Sequence, residues 1–347
     1  MDIIKSIITT LLLLSVLTIV HELGHFGAAR LFKVKVNEFA LFMGPKIFSW
    51  VSKKSGTRYS IRSVPIGGFC AMEGEEETSA DDGSFNKKPV YKRSLIIVAG
   101  PLMNLLLALV IIIGIFCYTG YDTNVVDTVS PNTLASAQNL EVGDKVIKYD
   151  GQQILNYMDY SLFNYVDKDD TTIFTVKKVN GEEQVYTFNR TRNDKNQKST
   201  IGFNFKHEKN VSIFKTMSNS VIYLYSMVKS IFYSLIWLIT GKVALNAVAG
   251  PIGLTQIIGE VVNAPKAAFL LKFLSLSEFA ALISVNLGIF NLLPFPGLDG
   301  GRLTLLGVEK IRRKPLKPER EAMISFVGLA LLMLLALVVA VSDVLKF

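Results

Sequence analysis

Cysteine, histidine and charge are all scarce in this chain. Only two cysteines occur in 347 residues, Cys70 and Cys117. Two thiols cannot supply the disulfide framework of a small secreted domain. Cys117 closes an apolar segment and Cys70 lies in a basic loop, so no pairing between them is expected. Charged residues make up 19% of the sequence against 50% hydrophobic ones, where a soluble chain carries about 25% charge. The deficit points to lipid. A net charge of +8 does not call for a nucleic-acid partner, because the basic residues flank the apolar runs, as they do in cytoplasmic loops of membrane proteins. The N-terminus lacks a basic leader region and a small-residue cleavage site, so its first apolar segment is expected to be retained. Internal repeats and low-complexity tracts are also missing, apart from an acidic patch at Glu73-Gly74-Glu75-Glu76-Glu77.

What the chain does have is long apolar runs. Ile3 to Val20 is almost wholly apolar, and a helical pattern continues to about Phe32. Further spans are expected from about Leu95 to Tyr118, Phe279 to Leu293 and Met323 to Val341, each near the roughly 20 residues that cross a bilayer core. A fifth stretch, Val221 to Thr240, contains Lys229 and alternates Tyr, Ser and Met with large aliphatics. It reads better as an amphipathic helix lying at the interface than as a span. The fold class is therefore an α-helical polytopic membrane protein of about four transmembrane helices, with a membrane-associated β-hairpin region and an inserted α+β module.

Eleven Lys or Arg lie between Lys33 and Arg93, and seven more between Arg302 and Arg320. Both loops are expected in the cytoplasm, which leaves the N-terminus and residues 119 to about 275 largely outside. Four segments follow: 1–120, a membrane core with two spans; 121–207, an extracytoplasmic module; 208–275, an amphipathic connection; and 276–347, a second membrane core. Within the module, strands are expected at Val125–Val129, Lys145–Tyr149, Thr172–Lys178, Gln184–Asn189 and Ile201–Phe205, with helix-like spacing from Pro131 to Leu140. Asn180-Gly181 predicts a type I′ hairpin turn.

The chemistry begins at His21-Glu22-Leu23-Gly24-His25. Residues i and i+4 share one helix face, so both histidines can ligate one ion. Glu22 is rotated by about 100° and can reach a metal-bound water without occupying the metal. Zinc brings the pKa of such a water to about 7, where a carboxylate can take its proton. Ionisable groups at the end of an apolar span are costly unless paired or functional. A catalytic zinc site wants a third protein ligand, yet the chain has only three histidines. The third, His207, lies at the edge of the module and is expected to be an ordinary surface residue. A carboxylate near the third span is wanted instead, and Asp299 stands out.

Asp299 follows Asn291-Leu-Leu-Pro-Phe-Pro-Gly-Leu. Pro294 and Pro296 end a helix, and Gly297, Gly300 and Gly301 permit tight turns. Two readings of this stretch remain open: a helix-breaking surface loop with a solvated aspartate, or irregular backbone at membrane depth serving a site.

The HExxH of the first span, the Asn-x-x-Pro-x-Pro-x-Leu-Asp-Gly element and the inserted module resemble the site-2 protease family of intramembrane zinc metalloproteases, in its bacterial type with a single PDZ domain. The resemblance covers nearly the whole chain in order. It implies that His21, His25 and Asp299 bind Zn2+, that Glu22 is the general base, and that Asn291 helps hold the substrate backbone. Val36–Met72 resembles the family's re-entrant β-hairpin region, ending in Gly68-Phe69-Cys70-Ala71-Met72, where an edge strand could hold an extended substrate. Gly100-Pro101-Leu102-Met103-Asn104 matches the start of the family's second span and reads as a packing element. Leu140-x-x-Gly143-Asp144-x-Val146 resembles a PDZ element, which would make the module either a peptide reader or a size filter. The implied substrates are single-span membrane proteins already cut outside, of the anti-sigma factor or signal-peptide remnant type. The implied activity is that of a zinc metalloendopeptidase of the bacterial inner membrane, acting in regulated intramembrane proteolysis.

Two other classes fit parts of the pattern. An ion or metal transporter also lines its path with intramembrane His, Glu, Asp and Asn, but such proteins commonly show two related halves, and no internal symmetry is visible. A catalytically silent scaffold carrying a PDZ-like module would be expected to lose Glu22 or Asp299, and both are present.

Overall fold

The computed structural model describes residues 2–75, 79–167, 169–191, 199–244, 249–264, 268–316 and 318–345. Glu76 and Glu77 of the acidic patch and Lys317 of the second basic loop lie outside the described residues. In chain order the elements are α1 (Asp2–Leu31), β1 (Val36–Val51), β2 (Arg58–Met72), α2 (Val90–Thr119), β3 (Tyr121–Val129), α3 (Leu134–Ala137), β4 (Lys145–Tyr149), β5 (Gln152–Gln153), α4 (Tyr157–Val166), β6 (Thr171–Lys177), β7 (Glu183–Asn189), β8 (Phe203–Glu208), α5 (Ile213–Ile239), α6 (Pro251–Asn263), α7 (Phe269–Leu292), α8 (Asp299–Arg312) and α9 (Pro318–Leu345). The chain divides into two compact units, Met1–Ile111 with Leu245–Phe347, and Ile112–Ala244.

Long apolar helices dominate the first unit. Their hydroxyls do not go unsatisfied: Ser6, Thr10, Ser15 and Thr18 of α1 each donate to the carbonyl four residues back, which lets polar side chains sit in an apolar helix at little cost. Small residues bring helices together. A Cβ on Gly24 would overlap the carbonyl of Ala99 in α2, so α1 and α2 meet backbone to backbone. The buried carboxylate of Asp343 in α9 accepts from the N–H groups of Gly250 (3.2 Å) and Gly253 (2.9 Å), closing the N-terminus of α6.

Between α1 and α2 lies an antiparallel pair of long strands with two-sided register. The first half of β1 pairs with both halves of β2, for instance Ala40 with Phe69 and with Ser60, whereas its second half pairs only with residues 58–62. The chain turns this corner at Phe42 (φ 69°) and Gly44 (φ 84°). Gly68–Met72 thus forms an outer strand, with β1 as its only ladder partner among the described residues.

The second unit is a β-rich module with the strand order β7-β6-β4-β3-β8, and β5 paired to β4. Alternation decides which side faces in: Thr172, Phe174 and Val176 of β6 are buried while their neighbours are not, the period-2 pattern of a half-buried strand. Tyr149, Phe174, Phe188, Val126 and Val146 form its centre. Three expectations need correction. The helix expected from Pro131 to Leu140 is only Leu134–Ala137, because Asn132 and Asn139 take positive φ at either end. The hairpin at Asn180-Gly181 is not type I′. Only Gly181 has positive φ (92°), and Lys178 N–H donates to Glu182 O across a three-residue loop, the form built on a type I turn with a bulge. The last strand starts at Phe203, two residues later than expected.

Five described helices are long and apolar enough to cross a membrane by length and composition, α1, α2, α5, α7 and α9: the four expected spans and the helix of the Val221–Thr240 stretch. The fifth is α5, a continuous helix of 27 residues. One face of it belongs to the module. Ser226 Oγ meets Asn156 Nδ2 at 2.9 Å, Lys229 Nζ pairs with the buried Asp159 carboxylate at 2.7 Å, and Trp237 joins the module's apolar core. The third span is longer than expected, starting at Phe269 rather than 279. Lys272 interrupts the apolar composition there but not the helix, its ammonium donating to Val262 O.

Candidate metal centre

His21 and His25 lie on one face of α1, and both are buried. Asp299 is the first residue of α8. Its placement follows from the broken backbone before it. Pro294 and Pro296 lack the N–H that would continue α7, and Gly297 (φ 90°) turns the chain back. Cβ atoms on Gly300 and Gly301 would overlap the carbonyls of Leu293 and Phe295, so only glycine lets the first turn of α8 fold onto the end of α7. The carboxylate also sits at a helix N-terminus, where negative charge is favoured.

These elements bring three ligand atoms together. His21 Nε2 lies 3.1 Å from Asp299 Oδ2, His25 Nε2 lies 3.3 Å from the same oxygen, and the two Nε2 atoms are 3.1 Å apart. A tetrahedral ion with bonds of about 2.0–2.1 Å holds its ligands roughly 3.3–3.4 Å apart. The triangle is close to that size, and among the described residues it is the one His/Cys/Asp/Glu group of this kind.

The surroundings supply an independent test of fit. A Cβ on Gly100 of α2 would overlap His25 Nε2 and come within 2.9 Å of His21 Nε2. The missing side chain leaves room where the ligand atoms converge. Four residues either side of Gly100, α2 reaches both imidazoles from behind: Ile96 O lies 2.9 Å from His25 Nδ1, and Asn104 Nδ2 lies 3.2 Å from His21 Nδ1. Two imidazoles and a carboxylate suit zinc. Burial raises the Asp299 carboxyl, but hydrogen bonds to His21 and His25 and their charge outweigh it and hold it below the ordinary carboxylate range.

Glu22 is half-buried, one position along α1. Its carboxylate faces the backbone N–H of Cys70 in β2, with His25, Asp299 and Glu75 as its charged neighbours. Gly68 and Phe69 lie in the same outer strand, and the Arg62 guanidinium covers the Phe69 ring at 4.8 Å. Gly68 packs close, since a Cβ there would come within 2.8 Å of Ala40 O. Asn291 is half-buried in the last turn of α7. His207 lies in β8, exposed and bonded to Asp122 and to Thr119 O. Two ion pairs anchor α8: Arg302 to Glu75 beyond the end of β2, and Arg93 of α2 to Glu309. The Glu75–Arg302 tie, the opening at Gly100 and the contact of Asn104 with His21 were not legible beforehand; spacing along one helix says nothing of which neighbour faces it.

The profile of Peptidase family M50 matches residues 9–335. A Clostridium acetobutylicum protein provisionally named a zinc metalloprotease is 34% identical, over 98% of this chain and 97% of that one. The zinc metalloprotease RasP of Geobacillus kaustophilus is 29% identical over 99% and 98%. The regulator of sigma-W protease RasP of Bacillus subtilis is 28% identical over 98% of each chain. This chain belongs to Peptidase family M50.

Proposed function

We propose that the protein is an intramembrane zinc metalloendopeptidase that cuts single-span membrane proteins in or near their membrane segment. The observation that carries this reading is the convergence of His21 Nε2, His25 Nε2 and Asp299 Oδ2 over the opening at Gly100, with Glu22 alongside. Zinc bound by these three residues would supply a Lewis acid that polarises a peptide carbonyl and acidifies water. Glu22 takes the proton of the attacking water and hands it to the leaving amine.

A helical substrate hides its carbonyls in internal hydrogen bonds, so it must unwind before it can react. The outer strand Gly68–Met72, which reaches Glu22 at Cys70, supports docking by backbone pairing. Gly68 and Phe69 line that strand, and Asn291 is assigned to hold the substrate backbone. Substrates already cut outside, of the anti-sigma factor or signal-peptide remnant type, agree with the sigma-W regulator among the relatives. The loop charges favour a bacterial inner membrane location with the site toward the cytoplasm and the module outside. The packing of α5 within the module supports an interfacial helix rather than a fifth span. In the module, read as PDZ-like, Tyr160 of α4 meets Phe205 and Phe203 of β8 at 5.0 and 5.9 Å.

The test uses two variants and one model single-span substrate. Glu22→Gln is expected to retain zinc and lose cleavage, and Asp299→Ala to lose zinc. Undiminished proteolysis by the Glu22 variant would sink the mechanism. Zinc uptake into vesicles without cleavage would favour a transporter.

A further inference from the structure

A histidine that ligates zinc through Nε2 must carry its hydrogen on Nδ1, and that N–H then needs an acceptor. For His25 the acceptor is plain: the carbonyl of Ile96, 2.9 Å from Nδ1. The atom facing His21 Nδ1 is the Nδ2 of Asn104 at 3.2 Å, while Asn104 Oδ1 is buried and has no partner. The two facts conflict with a metal at Nε2 in the same way. An amide N–H pointing at Nδ1 demands a lone pair there, which moves the ring hydrogen to Nε2, into the ligand triangle. Turning the amide by 180° places Oδ1 against Nδ1, gives the orphaned oxygen its donor and frees the lone pair of Nε2. The two ends of an amide are assigned from exactly such bonding requirements.

We propose that Asn104 is a positioning residue for the metal centre: its Oδ1 accepts from His21 Nδ1–H and selects the tautomer that ligates through Nε2. This rests on the zinc reading above. Ile96, Gly100 and Asn104 are spaced at i, i+4 and i+8, so one face of α2 runs along His25, the ligand triangle and His21 in turn. Asn104 is 0% exposed, and an amide at membrane depth is retained only where it has a partner to serve. Its own backbone carbonyl is a separate tie, accepting from Ser284 Oγ of α7 at 2.8 Å. That second bond makes it possible to distinguish a packing role from a tautomer role.

The experiment measures zinc affinity of the full-length purified protein by competition with a chelator, alongside thermal unfolding of the metal-free form. Asn104→Leu removes the acceptor and is expected to weaken zinc binding by about 10–100-fold. Asn104→Asp restores an acceptor in the same shape and is expected to bind within about threefold of the parent or more tightly. Ser284→Ala loosens the α2–α7 tie without touching the amide and is expected to leave zinc affinity unchanged. Substituted Co2+ adds a second readout, with the d–d spectrum altered in Asn104→Leu and preserved in Asn104→Asp. If Asn104→Leu melts early without metal, Asn104→Ala, which adds no bulk, takes its place. Zinc affinity within threefold of the parent in the variant lacking an acceptor would overturn the proposal. So would equal losses in the Leu and Asp variants. Asp299→Ala serves as the reference: if it keeps zinc, the metal reading itself fails and the role of Asn104 falls with it, whereas loss in Asp299→Ala with no effect at Asn104 refutes the positioning role alone.

Discussion

Gly100→Ala is the sharpest perturbation the structure offers, because it adds one methyl group at the point where the ligand atoms converge. The new Cβ would overlap His25 Nε2 and sit 2.9 Å from His21 Nε2. Ordinary contact begins near 3.4 Å, so the His25 ring must retreat by about 1 Å, where metal–ligand distances tolerate about 0.2 Å. Retreat also breaks the bond between His25 and Ile96 O, worth about 1 kcal/mol. Replacing glycine by alanine in a helix interior returns roughly 0.5–1 kcal/mol, so the metal-free protein should melt at nearly the same temperature as the parent. Zinc binding should weaken at least about 100-fold, a loss of roughly 2.7 kcal/mol, and proteolysis should fall with it. Chelator competition and metal-free melting on the same preparation separate the two effects. Affinity within threefold of the parent would show that the ion does not lie beside Gly100.

Other perturbations probe the rest of the molecule. Lys229→Met should destabilise the module by about 3 kcal/mol, since it strands the buried Asp159 carboxylate. Hydrogen exchange in β4 and α4 would read the change, and unaltered protection would refute the pairing. Both ring nitrogens of His207 face acceptors, Asp122 Oδ1 at 2.7 Å and Thr119 O at 2.9 Å, and the hydrogen bond to Asp122 raises its pKa. Its contribution to stability should therefore be complete below the unfolded value of 6.5 and fade as pH rises through the higher folded value. Melting followed from pH 6 upward should lose this dependence in His207→Ala. Gly181→Ala, at φ 92°, should cost about 1–2 kcal/mol, measured by the same melting assay.

Much of this was readable along the chain, because the relevant rules are local. Helix geometry alone puts His21 and His25 on one face, and alternation alone marks Phe174 and Val176 as buried. Proline chemistry ends α7 where Pro294 and Pro296 begin. Where sequence reasoning slipped, a competing interaction won. Positive φ at Asn132 and Asn139 trimmed α3 to four residues, and the loop needed a left-handed residue only at Gly181, not at Asn180. At α5 the composition could not say which face a module would cover.

The sequence by itself determined that this is a membrane chain with a two-histidine motif in its first apolar helix, and it pointed to a carboxylate as the third ligand. Scarcity carried that argument, since three histidines leave few choices. Only the tertiary structure decided that Asp299 Oδ2 stands 3.1 and 3.3 Å from the two Nε2 atoms, and that Ile96, Gly100 and Asn104 back them. Those distances depend on how glycines at 24, 100, 300 and 301 let backbones approach, and close approach between distant segments is a property of the packed chain, not of any stretch of it.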